Sequence, residues 1–198
     1  YLIEARVRVL TRLIAPSTAA ALSAELGAYL RSPNVALARA AALAIAECAT
    51  RLPSVAEGCL IALVRMLDCG CAETVATCIN AARRVLQSPS LPRQPRVVTH
   101  LAMMLPRIHM PHARASIIWC VGEYVDDLPM LAPETLRTLL VGFCEEGISG
   151  KLQTLSLAAK CAARRLERSD QMLAYSLELA RYDLDPDVRA RARWVAAL

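Results

Sequence analysis

The sequence predicts an all-α fold made of helix pairs laid side by side. Three observations predict it: the composition, the lack of strand-like alternation, and a recurring interval between helix starts. Of 198 residues, 56% are hydrophobic, only 4% are aromatic, and 7 are glycine. Alanine, leucine and arginine dominate, and Ala and Leu are strong helix formers. β-branched residues are scattered and never form an alternating run. Small alanines let helices approach closely, which suits a stack of helices better than one deep core.

Proline punctuates the elements. Pro33, Pro53, Pro111, Pro133 and Pro186 each precede an apolar stretch of helical period, and proline is well tolerated at the first helical position. Ser32 and Asp185 are placed to supply N-cap oxygens. Taken in order, residues 1–14 read as the second helix of a pair whose first member is missing. Helices at about 17–31 and 33–51 form the next pair. After them come 53–68 with 71–87, 95–107 with 111–127, 132–145 with 149–167, and 170–181 with 186–198. The second helices start near 34, 72, 111, 149 and 186, at spacings of 38, 39, 38 and 37 residues. A helix pair recurring at this interval matches a right-handed α-α superhelix of the HEAT/armadillo type, slightly below its usual ~40–47 residues. About five such pairs make residues 1–198 one solenoid, because no pair buries its apolar face alone.

The faces agree with this architecture. In the helix at 53–68, Val55, Cys59, Leu60, Leu63, Val64 and Leu67 form one stripe, with Glu57, Arg65 and Asp68 outside it. In the helix at 111–127 the apolar band of Ala113, Ile117, Trp119, Cys120, Val121 and Tyr124 is wider, which marks the more enclosed member of its pair. Gln87–Arg96, QSPSLPRQPR, has three prolines and no apolar stripe, and reads as a surface loop between repeats.

Several function classes lose support at this level. No apolar run reaches the ~18–20 residues of a membrane span, and the charged start at Glu4, Arg6 and Arg8 is unlike a secretory signal. Six of the eight cysteines, Cys48, Cys59, Cys78, Cys120, Cys144 and Cys161, sit within apolar helical stripes, as reduced cysteines used as small hydrophobes do. His100, His109 and His112 with Cys69 and Cys71 lack the paired short spacings of a zinc site, so no metal is expected. Asp126–Asp127 and Glu145–Glu146 are adjacent in sequence and point about 100° apart on a helix. They read as solvated helix ends rather than an acid/base pair. No nucleophile–base–orienter set and no phosphate-binding glycine loop is present. The chain therefore reads as a non-enzyme with no cofactor.

Net charge is +5, and only Lys151 and Lys160 among the 23 basic residues are lysine. The best basic clusters are Arg83–Arg84 and Arg164–Arg165–Arg168. Near helix C-termini they complement the macrodipole, or they contact acidic lipid headgroups or an acidic partner. Few aromatics interleave them, which argues against single-stranded nucleic acid as a partner.

Residues 111–137 read PHARASIIWCVGEYVDDLPMLAPETLR. An A-R-A-S/A-I-x-W stretch, then G-E-Y/N and a proline-containing turn, resembles the trunk of beta-adaptins, the large beta subunits of adaptor-protein complexes. Ala113, Arg114, Ala115, Trp119, Gly122, Glu123 and Tyr124 carry the likeness. KLQTLSLAAK at Lys151–Lys160 and RYDLDPDVRARARW at Arg181–Trp194 look more like the beta subunit of adaptor complex three. The likeness covers nearly the whole chain and places it in the C-terminal half of a trunk. The Ala- and Arg-rich surface and the 87–96 loop depart from the family pattern.

The resemblance implies a scaffold in vesicle-mediated protein transport and cargo sorting. Such a trunk pairs with a medium (mu) subunit beside a small (sigma) subunit and a second large adaptin. The complex is recruited to the cytosolic face of Golgi or endosomal membranes by an Arf-type GTPase and acidic lipids. Coatomer or transport-receptor solenoids share the helix pairs but not the WxxGEY block. An Arg-rich nucleic-acid-binding repeat is the further alternative. Within the motif, Trp119 is expected in the core and Gly122 at a close helix approach. Glu123 should bond to Arg137 or to an arginine of a neighbouring repeat, because a carboxylate in an apolar helix needs a partner.

Overall fold

The computed structural model describes residues 2–68 and 71–197, with side chains from residue 5 onward. All regular elements among these residues are helical. The chain divides into two compact units, Tyr1–Gln94 and Pro95–Leu198, and the boundary falls inside the proline-rich 87–96 segment.

The first unit holds α1 (Leu2–Arg12), α2 (Ala19–Leu30), α3 (Val35–Arg51), α4 (Ala56–Arg65) and α5 (Ala72–Leu86). The helices α2/α3 and α4/α5 form the pairs, and α1, α3 and α5 pack in sequence as one layer. α3 is the centre of this layer. It buries Ala38, Ala41, Ala42, Ala44, Ala46 and Ala49 with Ile45 and Cys48, so its neighbours meet a nearly smooth cylinder on either side. Its N-cap is Asn34, whose side chain accepts from the Leu37 N–H. Ser32 instead accepts from the Asn34 N–H. The expected cap thus moves two residues on, because Pro33 separates Ser32 from the first helical turn. The stripe expected on α4 is largely enclosed at Cys59, Leu60, Leu63 and Leu67, while Val55 and Val64 lie at its edges, half-buried.

The second unit holds α6 (Pro95–Met104), α7 (Pro111–Glu123), α8 (Leu131–Val141), α9 (Ile148–Ala163), α10 (Ser169–Arg181) and α11 (Pro186–Ala196). Here α7, α9 and α11 form the continuous layer, with α6, α8 and α10 outside it. Leu101, Ile117, Ile118, Leu136, Phe143 and Leu155 are fully buried. Prolines open α7 and α11 as expected, and Asp185 caps α11 by accepting from the Asp187 and Val188 N–H groups; Pro95, read as part of the 87–96 loop, instead opens α6, so that loop ends at residue 94. Pro133 lies instead inside the first turn of α8, where its missing N–H has no intrahelical acceptor to lose.

Second helices start at 35, 72, 111, 148 and 186, within one residue of the starts read from sequence. Cys48, Cys59, Cys78, Cys120 and Cys161 are buried and form no disulfide, as small hydrophobes should be. Cys144 is exposed, contrary to expectation, because α8 has already ended and the residue sits in a single 3-10 turn. Cys69 lies outside the described residues. Among those residues no helix is long and apolar enough to cross a membrane, and no group of three or more metal-binding side chains forms.

Candidate functional site

The family motif lies along α7, the most enclosed helix of the second unit. Ala113, Ala115, Ser116, Ile117, Ile118, Cys120, Val121 and Gly122 are all buried. Tyr124 follows at the C-cap and is also buried. Trp119 is half-buried rather than enclosed, so the expected core position holds only for part of its ring.

The Glu123 counter-charge that the structure shows is a lysine. The Glu123 carboxylate accepts from the Lys160 ammonium on α9, and Arg137 pairs within its own helix with Glu134. Gly122 explains the geometry. A Cβ there would stand 3.5 Å from Lys160 Cδ and 3.8 Å from Leu157 Cδ1. That is ordinary contact, so a methyl group fits, but a longer side chain would push the Lys160 stem off α7. One turn further, Arg164 Nη2 donates to Asp126 Oδ2 at 2.8 Å. Asp126, expected as a solvated helix end, and Arg164, expected to complement a helix dipole or to contact an acidic partner, thus make a second exposed tie between the α7 and α9 ends.

The opposite ends of these helices carry a stronger pair that spacing alone did not reveal. Arg114 is the fourth residue of α7. Its Nε and Nη2 donate to the Glu146 carboxylate at 2.6–3.0 Å, and its Nη1 donates to the Leu105 and Ile108 carbonyls at 2.8 Å each. The Glu146 side chain is only 6% exposed, which overturns its reading as a solvated helix end. Gly150 makes room for it: a Cβ at that position would fall 2.5 Å from Glu146 Cγ and Oε1. Lys151, the fourth residue of α9, repeats the arrangement with Asp183 at 2.7 Å, the two side chains 12% and 8% exposed. Burial pushes the Asp183 pKa upward, but hydrogen bonds from Lys151 and the Asp185 N–H, with the Lys151 and Arg189 charges, outweigh it and hold the acid below its ordinary value. Arg189, the fourth residue of α11, donates to the Asp183 and Leu184 carbonyls.

A base at the fourth position of a second helix and a carboxylate 32 residues later therefore form successive rungs through the second unit. The signal was available in the sequence, but only once helices were aligned by their first residues. In the first unit the equivalent positions are Ala38 and Val75, and no such rung exists. Its ties are the exposed Arg39–Glu73 pair at 3.2 Å and Arg51 Nη1 donating to the Thr11 carbonyl at 3.0 Å.

The basic clusters separate in the structure. Arg83 is half-buried at the end of α5 and Arg84 is exposed. Arg164 is engaged by Asp126, whereas Arg165 and Arg168 adopt left-handed backbone, with φ of 53° and 55°. Arg165 closes α9: its N–H donates to the Ala162 carbonyl and the Leu166 N–H to the Cys161 carbonyl, a Schellman closure in which glycine is the usual residue.

Residues 4–198 match the family described as Adaptin N terminal region. The chain belongs to the adaptin N-terminal family. This adaptin segment is 33% identical to the AP-3 complex subunit beta-2 of Mus musculus over 193 residues, covering 98% of the chain and 18% of that protein. It is 31% identical to the AP-3 complex subunit beta-1 of Homo sapiens with the same coverage. Against the AP-1 complex subunit beta-1 of Mus musculus the identity is 29%, covering 94% of the chain and 20% of that protein. The adaptin segment thus spans about a fifth of the length of these relatives. The structure described as a homology model of the full-length AP-3 complex in an intermediate open conformation superposes with a TM-score of 0.81. At 23% identity, it covers 98% of the segment and 36% of that chain, and it supports the helical-repeat fold of the adaptin.

Proposed function

We propose that the segment is part of the trunk of a beta subunit in a vesicle-coat adaptor complex, where it is a non-enzymatic scaffold for protein transport and cargo sorting. The observation that carries the reading is the family match across residues 4–198, together with similarity to AP-3 beta subunits along 98% of the chain. On this reading residues 1–198 continue as one superhelical stretch, and the partners are a medium subunit, a small subunit and a second large adaptin. The full-length protein works at the cytosolic face of Golgi or endosomal membranes, with an Arf-type GTPase and acidic lipids as recruiting partners. Arg114, Trp119, Gly122, Glu123 and Tyr124 serve the stacking of repeats, and a stack cross-tied at both ends of its inner helices suits partners that dock over many weak contacts.

Affinity purification of the full-length parent from cells tests this. Recovery of a medium, a small and a second large adaptor subunit in comparable amounts is expected. Recovery without any of the three would overturn the reading.

A further inference from the structure

Four of the five net positive charges lie in the first unit. Residues 1–94 contain 10 arginines against 6 carboxylates, and residues 95–198 contain 13 bases against 12 carboxylates. In the second unit, bases such as Arg114, Lys151, Lys160 and Arg164 are engaged by carboxylates. In the first unit, part of the surplus gathers at one place. A cleft of ≈ 420 Å³ runs over the layer formed by α1, α3 and α5, and Arg8 of α1, Arg39 of α3 and Arg84 of α5 line it. Arg8 and Arg84 are exposed, and their side chains make no hydrogen bond or ion pair with any described residue. Arg39 reaches Glu73 by a pair more than half exposed on both sides. Among the described residues Glu47 is the one carboxylate in the lining, and its own partner is Arg51 at 3.9 Å.

The floor between these arginines is apolar. Ala36, Ala40 and Ala44 are small, and they leave Leu43 standing 49% exposed beside them on the solvent face of α3. About half of this apolar side chain stays open to solvent on the central helix of its unit.

We propose that this cleft binds an acidic peptide segment, its carboxylates on Arg8, Arg39 and Arg84 and an apolar side chain against Leu43 and the alanine floor. Adjacent packed helices lie about 8–10 Å apart, so bases contributed by three successive helices spread along a line instead of converging on one anion. That spacing suits several carboxylates along a peptide better than a single phosphate, and a recessed apolar floor suits an inserted side chain better than a flat headgroup layer. Arginine's planar fork favours bidentate capture of each carboxylate. The site is independent of the contacts that tie the second unit, and it stands whether or not the subunit partners proposed above are recovered.

The test is fluorescence anisotropy of the full chain with a labelled peptide of about ten residues, mostly glutamate with two central leucines. Binding is expected to fall at least about tenfold in the Arg8→Glu/Arg39→Glu/Arg84→Glu variant. An Arg31→Glu/Arg107→Glu/Arg181→Glu control, with the same charge change elsewhere, should stay within about twofold. Replacing the two leucines by glutamine should weaken binding about threefold or more. Because Arg39 pairs with Glu73, a second variant, Arg8→Gln/Arg84→Gln, leaves that pair intact and should still lose most of the affinity. Equal loss in both triple variants, indifference to the leucines, or no measurable binding at low salt would overturn the proposal. So would displacement of the cleft's role to vesicles of phosphatidylcholine with phosphatidylserine, seen as vesicle binding that needs the three arginines while the peptide does not bind.

Discussion

Removing Arg114 should cost the second unit more than any other single charge. The guanidinium holds a carboxylate that is 6% exposed and also satisfies the Leu105 and Ile108 carbonyls of the turn before α7. Arg114→Ala strands all three acceptors. Breaking a buried pair from one side costs about 3–5 kcal/mol. Arg114 is itself 21% exposed and borders an open cleft of ≈ 480 Å³ next to Glu146, so water reaches the orphaned groups and the lower end, about 3 kcal/mol, is expected. With a urea m-value of about 2 kcal/mol/M for a unit of this size, the midpoint followed by circular dichroism should fall by about 1.5 M. Glu146→Ala should cost less, about 2 kcal/mol, because the arginine left behind keeps its two carbonyl acceptors and can turn toward solvent. The double variant should be less destabilised than the sum of the singles by about 1.5–2 kcal/mol. A midpoint change below about 0.3 M for Arg114→Ala, or a double variant equal to the sum, would refute the view that this pair ties α7 to the α8–α9 turn.

Other consequences are testable in the same assay. Gly150→Ala should destabilise by about 1–3 kcal/mol, because the new methyl group displaces the Glu146 side chain from Arg114; in an Arg114→Ala/Glu146→Ala background the same change should be neutral or favourable, since alanine is the better helix former. Arg165→Gly should stabilise by about 0.5–1 kcal/mol, since glycine adopts the φ of 53° without the steric cost an arginine bears. Asp183 has a depressed pKa in the folded chain. Its contribution is present above the unfolded value of about 4 and is lost as pH falls from there toward the lower folded value, and Lys151→Met should remove that part of the acid sensitivity in urea midpoints taken between about pH 6 and 2.5. Burial pushes the Cys59 and Cys161 thiols up to about 11. The unfolded thiols ionise first, so stability should decline as pH rises from about 9, less steeply in a Cys59→Ala/Cys161→Ala variant.

The helices were legible because periodicity and punctuation are local. Pro111 and Pro186 open helices, and alanine-rich α3 could hardly be anything else. The partners were not legible, because they depend on which residues of different repeats face one another. Glu123 needs a counter-charge, expected from Arg137 or an arginine of a neighbouring repeat, yet the geometry of α8 directs Arg137 to Glu134 three residues away and the neighbouring repeat supplies Lys160. Glu146 read as solvated because it follows a helix end, and nothing local says that Arg114, 32 residues earlier, lies beside it. Gly150 carried the missing hint. A glycine inside the first turn of a helix costs stability, and here the neighbouring carboxylate occupies the place of its Cβ. Cys144 failed for the opposite reason: its apolar surroundings in sequence continue past the point where α8 ends in space.

The two units use the same residue type for different ends. In the second, bases at the fourth positions of α7 and α9 are spent on carboxylates with exposures near or below 10%, contacts that fix one repeat against the next and leave little field outside. In the first, alanine at position 38 and valine at position 75 supply the packing without ion pairs, so the inner layer needs no counter-charges. Arg39 and Arg51 make contacts that tie its helices, whereas the side chains of Arg8 and Arg84 in the α1–α3–α5 cleft pair with no described residue. A charge that contributes nothing to the fold at an exposed site is worth well under about 1 kcal/mol to stability in either direction. The Arg8→Gln/Arg84→Gln variant should therefore leave the unfolding midpoint unmoved while losing most of the peptide affinity, whereas substituting Arg114 should do the reverse. That crossed pattern separates a binding surface from a structural tie, and loss of stability in the Arg8 and Arg84 variants comparable to that of Arg114→Ala would show that the first unit's charges are structural after all.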